Sequence, residues 1–379
     1  MNRFVIVGNG FDLAHDLPTR YEDFIVDYIK NAIKETTKEV IKVRSIRGGT
    51  YVPYEDKLIT VRCITPFEIH DDTYSSLSSL MSFDKIQWEG ITTEGKRSQH
   101  YHIRFNSPFF SQLINQKVGL NRWTDIENYY FQFLTTHFNT QRHNKEFFKD
   151  LNDEFEELEG KLKKYLKNID DKIGGTFLAS EDRDNMIAYC FNPLDAEDYN
   201  KFFNKTSEPA RLTGNRKELD NVYFLNFNYT SLLRKRLLDE GNYELIPIHG
   251  EISNPESVIF GYGDDTHEKY SQLEQDGNEE LLMNIKSFYY ADNDNYLNII
   301  DKLEKQEFEV AVVGHSLGFS DRVLLKTIFE HPNCCAIRLY HRGERKNHFK
   351  KRIALSRHFY NKQNMRGKIV PFNENDVFK

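Results

Sequence analysis

Arg3-Phe4-Val5-Ile6-Val7-Gly8-Asn9-Gly10-Phe11-Asp12 is the stretch that decides the fold, because a short apolar run passes straight into a glycine turn. A run of this length stopped by glycine reads as a strand buried on both faces of a parallel sheet. Beyond the turn a helix is expected near Tyr21, since Phe24, Ile25, Tyr28 and Ile29 fall on one helical face. Strand, turn, loop and helix make the first half of a βαβ unit. Gly8 and Gly10 permit positive φ and close backbone approach, and amides in such a turn suit a phosphate. The G-x-G-x-x-G fingerprint is truncated, because residue 13 is Leu. A plain tight βα turn is the bland alternative. Asp12 would repel a phosphate if it pointed inward, so it is expected to cap the turn or hold a ribose hydroxyl.

The same rhythm returns after residue 220. Strands are expected at 222–227, 243–248, 257–261, 308–313, 334–340 and 368–372, with helices at 230–239, 297–305 and 344–360. Ser320 or Asp321 is placed to cap the helix after 313. Four strands end in small or polar residues: Gly8-Asn9-Gly10, Asn226-Phe227-Asn228, His249-Gly250 and Gly314-His315-Ser316. In open parallel sheets ligands bind outside the carboxyl ends of the strands, so one site is expected to gather all four. The fold class is therefore α/β, a Rossmann-like parallel sheet flanked by helices. Residues 1–40 and 220–379 form the nucleotide-binding core, 41–115 a β-rich or irregular insertion, and 116–219 a helical subdomain.

Composition narrows the function classes. The 379 residues include 39% hydrophobic and 14% aromatic side chains, far from a disordered composition. The net charge of −7 argues against general binding to nucleic acid or anionic membranes. There is no run of about eighteen apolar residues, so no membrane span is expected, and no signal-peptide pattern precedes the first strand. Cys63, Cys190, Cys334 and Cys335 contain no Cys-x-x-Cys pair, so reduced thiols in a cytoplasm and no metal site are expected. The basic residues Arg342, Arg345, Lys346, Lys350, Lys351 and Arg352 read as a solvated helix face.

His249 titrates near neutrality and is a candidate general acid or base, although a lone histidine is more often structural. Asn228 at a strand end is more often a turn former. Gly314-His315-Ser316-Leu317-Gly318 fits the G-x-S-x-G nucleophile elbow, with Ser316 as nucleophile. The chain order Ser, Asp, His is not met downstream: Asp321 is too close, and Asp376 follows every histidine.

Taken together, Gly8-Asn9-Gly10-Phe11-Asp12-Leu13-Ala14-His15 with Leu17-Pro18-Thr19, Trp123-Thr124-Asp125-Ile126-Glu127, Phe227-Asn228-Tyr229-Thr230, Ile248-His249-Gly250 and Gly314-His315-Ser316-Leu317-Gly318-Phe319-Ser320-Asp321 resemble the bacteriophage abortive-infection AbiH family. That pattern is in turn distantly similar to the sirtuin (SIR2-like) NAD-binding fold. Sirtuins carry G-A-G-x-S with a following I-P step, then T-Q-N-I-D, a histidine before glycine, and G-T-S-L. This chain places Gly8–Asp12 with Leu17-Pro18, Asn226–Thr230, His249-Gly250 and Gly314–Leu317 there. It lacks their two Cys-x-x-C pairs, and Thr230 replaces their aspartate.

The resemblance implies an anti-phage protein that hydrolyses NAD+ at the nicotinamide–ribose bond, with no cofactor required. Asn228 and His249 would be catalytic. Gly8, Asn9, Gly10, Phe11, Asp12, Asn226, Gly250, Gly314, His315, Ser316 and Asp321 would bind the nucleotide. A phage-derived trigger and a homo-oligomer are the partners it suggests, with no membrane and no specific nucleic acid. The alternatives are a nucleotide-sensing module acting with an effector, and a serine hydrolase using Ser316.

Overall fold

The computed structural model describes residues 1–44, 51–67, 76–89, 100–115, 123–174, 187, 190–191, 219–237, 242–341, 343–373 and 376. Their contacts divide into two compact units. One comprises Met1–Leu17, Leu166–Gln275 and Asn284–Lys379, the other Pro18–Tyr165 and Asp276–Met283.

The strands of the first unit are β1 (Asn2–Val7), β6 (Asn221–Asn226), β7 (Tyr243–Pro247), β8 (Phe308–Val313) and β9 (Cys334–Leu339), numbered along the whole chain. They form one sheet in the order β7-β6-β1-β8-β9, and every pair is parallel. β1 and β8 are buried along their full length, as expected for central strands covered on both faces. The chain steps outward from β1 through β6 to β7, then returns to the other side of β1 with β8 and β9. The strand order therefore reverses between β1 and β8, the position where open α/β sheets bind ligands. This is the Rossmann-like core.

Side-chain alternation sorts the strands into two faces. Phe4, Ile6, Leu225, Val310 and Val312 pack with Ile299 and Leu303 of the helix Asn295–Lys305 and with Leu324, Leu325 and Ile328 of the helix Arg322–Glu330. Each fully buried side chain of this size contributes about 1.5–3 kcal/mol. Elsewhere in the sheet, Arg3 and Glu309 face each other across the β1–β8 register as a buried ion pair.

Two expected strands are absent. The segment 257–261 lies between a short 3-10 turn, Pro255–Ser257, and a single bridge from Tyr262 to Ile285. Its backbone is drawn back to the end of β7, where the Ile259 amide donates to the His249 carbonyl at 3.0 Å. The segment 368–372 makes one bridge, Ile337 to Ile369, after the helix Lys362–Lys368. Pro371 has no N–H to extend a ladder. The helix at 230–239 shortens to Leu232–Arg236, and the basic helix spans Arg345–Ser356.

The second unit carries β2 (Tyr54–Glu55), β3 (Ile59–Cys63), β4 (Ile86–Trp88) and β5 (Tyr101–Phe105) in the order β2-β3-β5-β4. The helix Tyr21–Arg44 belongs here, so a boundary at residue 40 cuts through it. Its polar side chains tie it to this small sheet: Thr36 Oγ1 donates to the Val61 carbonyl, and the Tyr28 hydroxyl to Asp56. The helices Trp123–Gln141 and Lys145–Asp170 lie within the region 116–219 expected to be helical. Leu151, Phe155, Leu158, Leu162, Leu166 and Ile169 form the buried stripe of the second helix. The polar segment 196–218 lies outside the described residues. No helix among the described residues is long and apolar enough to cross a membrane.

Candidate functional site

The strand ends of the first unit are built from backbone outward. Gly8 N–H donates to the Val313 carbonyl at 3.1 Å, Gly10 N–H to the Gly314 carbonyl at 2.9 Å, and Phe11 N–H to the Gly8 carbonyl at 2.8 Å. The turn after β1 is thus welded to the turn after β8. Glycine is required by that contact: a Cβ on Gly10 would sit 2.6 Å from the Gly314 oxygen, and one on Gly314, at φ +68°, would sit 2.4 Å from the Phe11 nitrogen. Three amides of the presumed phosphate turn are therefore spent inside the protein. The helix that follows is only Gly10–Ala14. A pyrophosphate needs other groups to hold it.

Asp12 and Asn228 meet beside this weld. Asn228 Nδ2 donates to Asp12 Oδ1 at 2.9 Å and to the Gly8 carbonyl at 3.2 Å, while Thr230 Oγ1 donates to Asp12 Oδ2 at 2.8 Å. Both hydrogens of the Asn228 amide are committed, so its Oδ1 is the atom left to accept a bond. The Asn228 backbone N–H is held by Asn226 Oδ1 at 3.2 Å. Asn226 is fully buried, and its Nδ2 has no partner among the described residues. Asp12 is buried, with no cation beside it among the described residues. Desolvation pushes its carboxyl up to about 7 against the two donors, and the nearby Asp170 adds to the rise. Asp170 itself accepts from the Ser231 amide at 2.6 Å and its hydroxyl at 2.8 Å.

A second network gathers the ends of β7 and β8. His249 Nε2 lies 3.2 Å from Asp321 Oδ1, and Lys286 Nζ lies 3.1 Å from the same oxygen and 3.4 Å from His249 Nε2. His315 Nε2 is 3.5 Å from Asp321 Oδ2. All four side chains are buried. Desolvation lowers the His249 imidazole to about 4, aided by the Lys286 cation and opposed by Asp321. Burial alone would raise the Asp321 carboxyl, but Lys286 and the two imidazoles hold it well below the usual carboxylate range. The rings of Phe227 and Tyr229, on either side of Asn228 in the chain, lie 5.2 and 6.0 Å from the His249 ring. Phe227 also lies 4.4 Å from the His315 ring. The chain neighbours of Asn228 thus pack on His249, while the Asn228 amide itself is bonded to Asp12 and Gly8.

The remaining expected residues are near but differ in use. Gly250, at φ +74°, makes the turn after β7, and a Cβ there would meet the Ser257 oxygen at 2.0 Å. Phe11 is buried, its ring 4.5 Å from that of His15. Asn9 is half-buried at the start of the short helix. Asp321 stands at the N-cap of the helix Arg322–Glu330 but makes no capping bond, because its carboxylate is taken by the cluster. Ser316 is half-buried, and no histidine among the described residues is bonded to its hydroxyl. The neighbouring His315 uses Nδ1 to accept from the Leu317 amide at 3.0 Å instead. The left-handed φ of +57° falls on Leu317 rather than on the serine. Lys286 and Thr230 were not singled out as ligand or catalytic groups from sequence. Lys286 carried a signal: it is the sole charge in the run 281–290. No group of three potential metal ligands occurs among the described residues.

Residues 4–341 match the family model of the bacteriophage abortive infection protein AbiH. The chain belongs to the AbiH family. Its role is accordingly anti-phage abortive infection. No curated protein matches the chain. All of the cluster residues of this AbiH-family chain, from Asp12 to Asp321, lie inside the matched span.

Proposed function

We propose that this chain is an NAD+ hydrolase whose cleft lies at the carboxyl ends of β1, β6, β7 and β8. The reading rests on one observation: Asn228 has both amide hydrogens tied to Gly8 and Asp12, leaving Oδ1 as a fixed acceptor, and its two chain neighbours pack against the His249 ring. Water attacks C1 of the nicotinamide ribose. The C1–N bond breaks, its electron pair neutralises the pyridinium nitrogen, and nicotinamide leaves. The water proton passes to His249, and ADP-ribose is the second product. The oxocarbenium-like transition state asks for orientation and electrostatics more than for a strong nucleophile. Asn228 Oδ1 supplies the orientation by accepting from the water or a ribose hydroxyl. An imidazole held neutral at pH 7 is in the form that takes a proton.

The test is to incubate the full chain with NAD+, with and without extract of phage-infected cells, and to quantify nicotinamide and ADP-ribose. Turnover is expected, with Asn228→Ala and His249→Ala each lowering it by about 10²–10⁴-fold. No turnover under either condition, with NAD+ still bound, would leave a nucleotide sensor in its place. Ser316 has no base on its hydroxyl among the described residues, so a fluorophosphonate is expected not to label it.

A further inference from the structure

We infer that Asp321 and Lys286 are positioning residues that fix His249 as the neutral, Nε2-protonated tautomer and leave Nδ1 as its proton-accepting atom. The inference rests on the reading of His249 as the proton acceptor of the cleft. Asp321, ionised, only accepts, and Lys286, an ammonium, only donates. Both face the same ring nitrogen, His249 Nε2, at 3.2 and 3.4 Å. A lone pair on Nε2 would repel the Asp321 oxygen, whereas a hydrogen there makes a charge-assisted bond to it, the shorter of the two contacts. Lys286 Nζ makes its shorter contact with Asp321 Oδ1, at 3.1 Å, and the longer with the imidazole.

His315 sets the same pattern on the other side of the carboxylate. Its Nδ1 accepts from the Leu317 amide, so in the neutral ring Nε2 carries the hydrogen facing Asp321 Oδ2. Asp321 thus collects two imidazole N–H groups and an ammonium, which accounts for its failure to cap its helix. Lys286 has a second effect. A buried cation 3.4 Å from Nε2 opposes a further proton on His249, and desolvation acts in the same direction. The charged and titratable groups facing His249 among the described residues are Lys286, Asp321, His315 and the Tyr229 phenol, whose hydroxyl donates to the Ile259 carbonyl at 3.2 Å. Phe227 and Tyr229 cover the ring with aromatic surface.

The experiment is long-range nitrogen–proton NMR on the full chain labelled in histidine, from pH 5 to 8. In the wild type His249 is expected neutral across this range, with Nε2 protonated and Nδ1 bare. Lys286→Met is expected to raise its titration midpoint by about one pH unit or more, and Lys286→Arg to keep it low. Asp321→Asn is expected to move the hydrogen to Nδ1, in part or wholly, and to lower kcat for NAD+ on the order of 10³-fold with KM changed less than about threefold. A wild-type His249 protonated on Nδ1 overturns the inference even if no variant folds. So does an unmoved midpoint in Lys286→Met. The expected spectra without NAD+ turnover uphold the tautomer and overturn only the proposed reaction.

Discussion

Asp12 and Asp321 are both buried aspartates, both just beyond the ends of adjacent strands, β1 and β8, yet the protein shifts their carboxyls in opposite directions. Among the described residues Asp12 has only neutral donors, Asn228 and Thr230, with Asp170 as a second carboxylate nearby, and its carboxyl rises to about 7. Asp321 has the Lys286 ammonium at 3.1 Å and two imidazoles, and stays ionised. Burial is equally severe for both. What decides the charge is whether a cation shares the pocket. One network, with no cation among the described residues, is therefore a frame that aims an amide. The other is an ionic frame that sets an imidazole.

The hardest way to break the contrast is to remove the cation. Lys286→Ala leaves Asp321 buried without its partner, and is expected to cost about 3–5 kcal/mol at pH 8 by urea denaturation. A loss under 1 kcal/mol would mean the pair is not the ionic centre described. The next effect is in pH. A carboxyl raised from 3.8 to about 7 in the fold contributes stability that is full below pH 3.8 and lost as pH rises through 7, roughly 4 kcal/mol in all. His249, lowered from 6.5 to about 4, contributes stability that is present above 6.5 and lost as pH falls through 4, roughly 3 kcal/mol. Unfolding free energies of wild type and Asp12→Asn from pH 4 to 8 separate the two. The variant is expected to lack the loss between pH 5 and 7, and identical slopes would sink the assignment.

Smaller changes sharpen the comparison. Gly10→Ala forces a methyl onto the Gly314 backbone, where no flexible side chain can yield. It is expected to cost about 1–3 kcal/mol and to disturb the amide signals of residues 8–11 and 313–317. Thr230→Val removes a donor to Asp12 and costs about 0.5–1.5 kcal/mol. It is also expected to move the Asp12 titration upward, which a carboxyl-specific infrared or NMR titration reads. An unchanged midpoint would mean that the Thr230 bond does not stabilise the carboxylate.

Parts of the site were legible because local chemistry announces them. A glycine turn after an apolar run, an Asn-x-Asn at a strand end and a His-Gly step are each visible in sequence, and β1, β6, β7 and β8 end where those residues stand. Asp321 was legible as a cap and as a binding residue, and it does stand at the N-cap, but its carboxylate is ion-paired instead of capping; the two uses look alike until the partner is known. The strands expected at 257–261 and 368–372 failed for a related reason. Their residues suit a ladder, but Ile259 is bonded to His249 and Pro371 ends the pairing.

By itself the sequence determined that a parallel α/β sheet would form and that its strand ends would carry Gly8, Asn228, His249 and Gly314, because strand propensity and turn chemistry are local. Tertiary structure alone decided what those residues touch. It spent the Gly8, Gly10 and Phe11 amides on a backbone weld rather than on an open phosphate nest. It also brought Lys286 and Asp321, 35 positions apart, onto one imidazole nitrogen. Charge state and hydrogen-bond direction depend on burial and on neighbours distant in the chain, and neither is written in any short stretch of it.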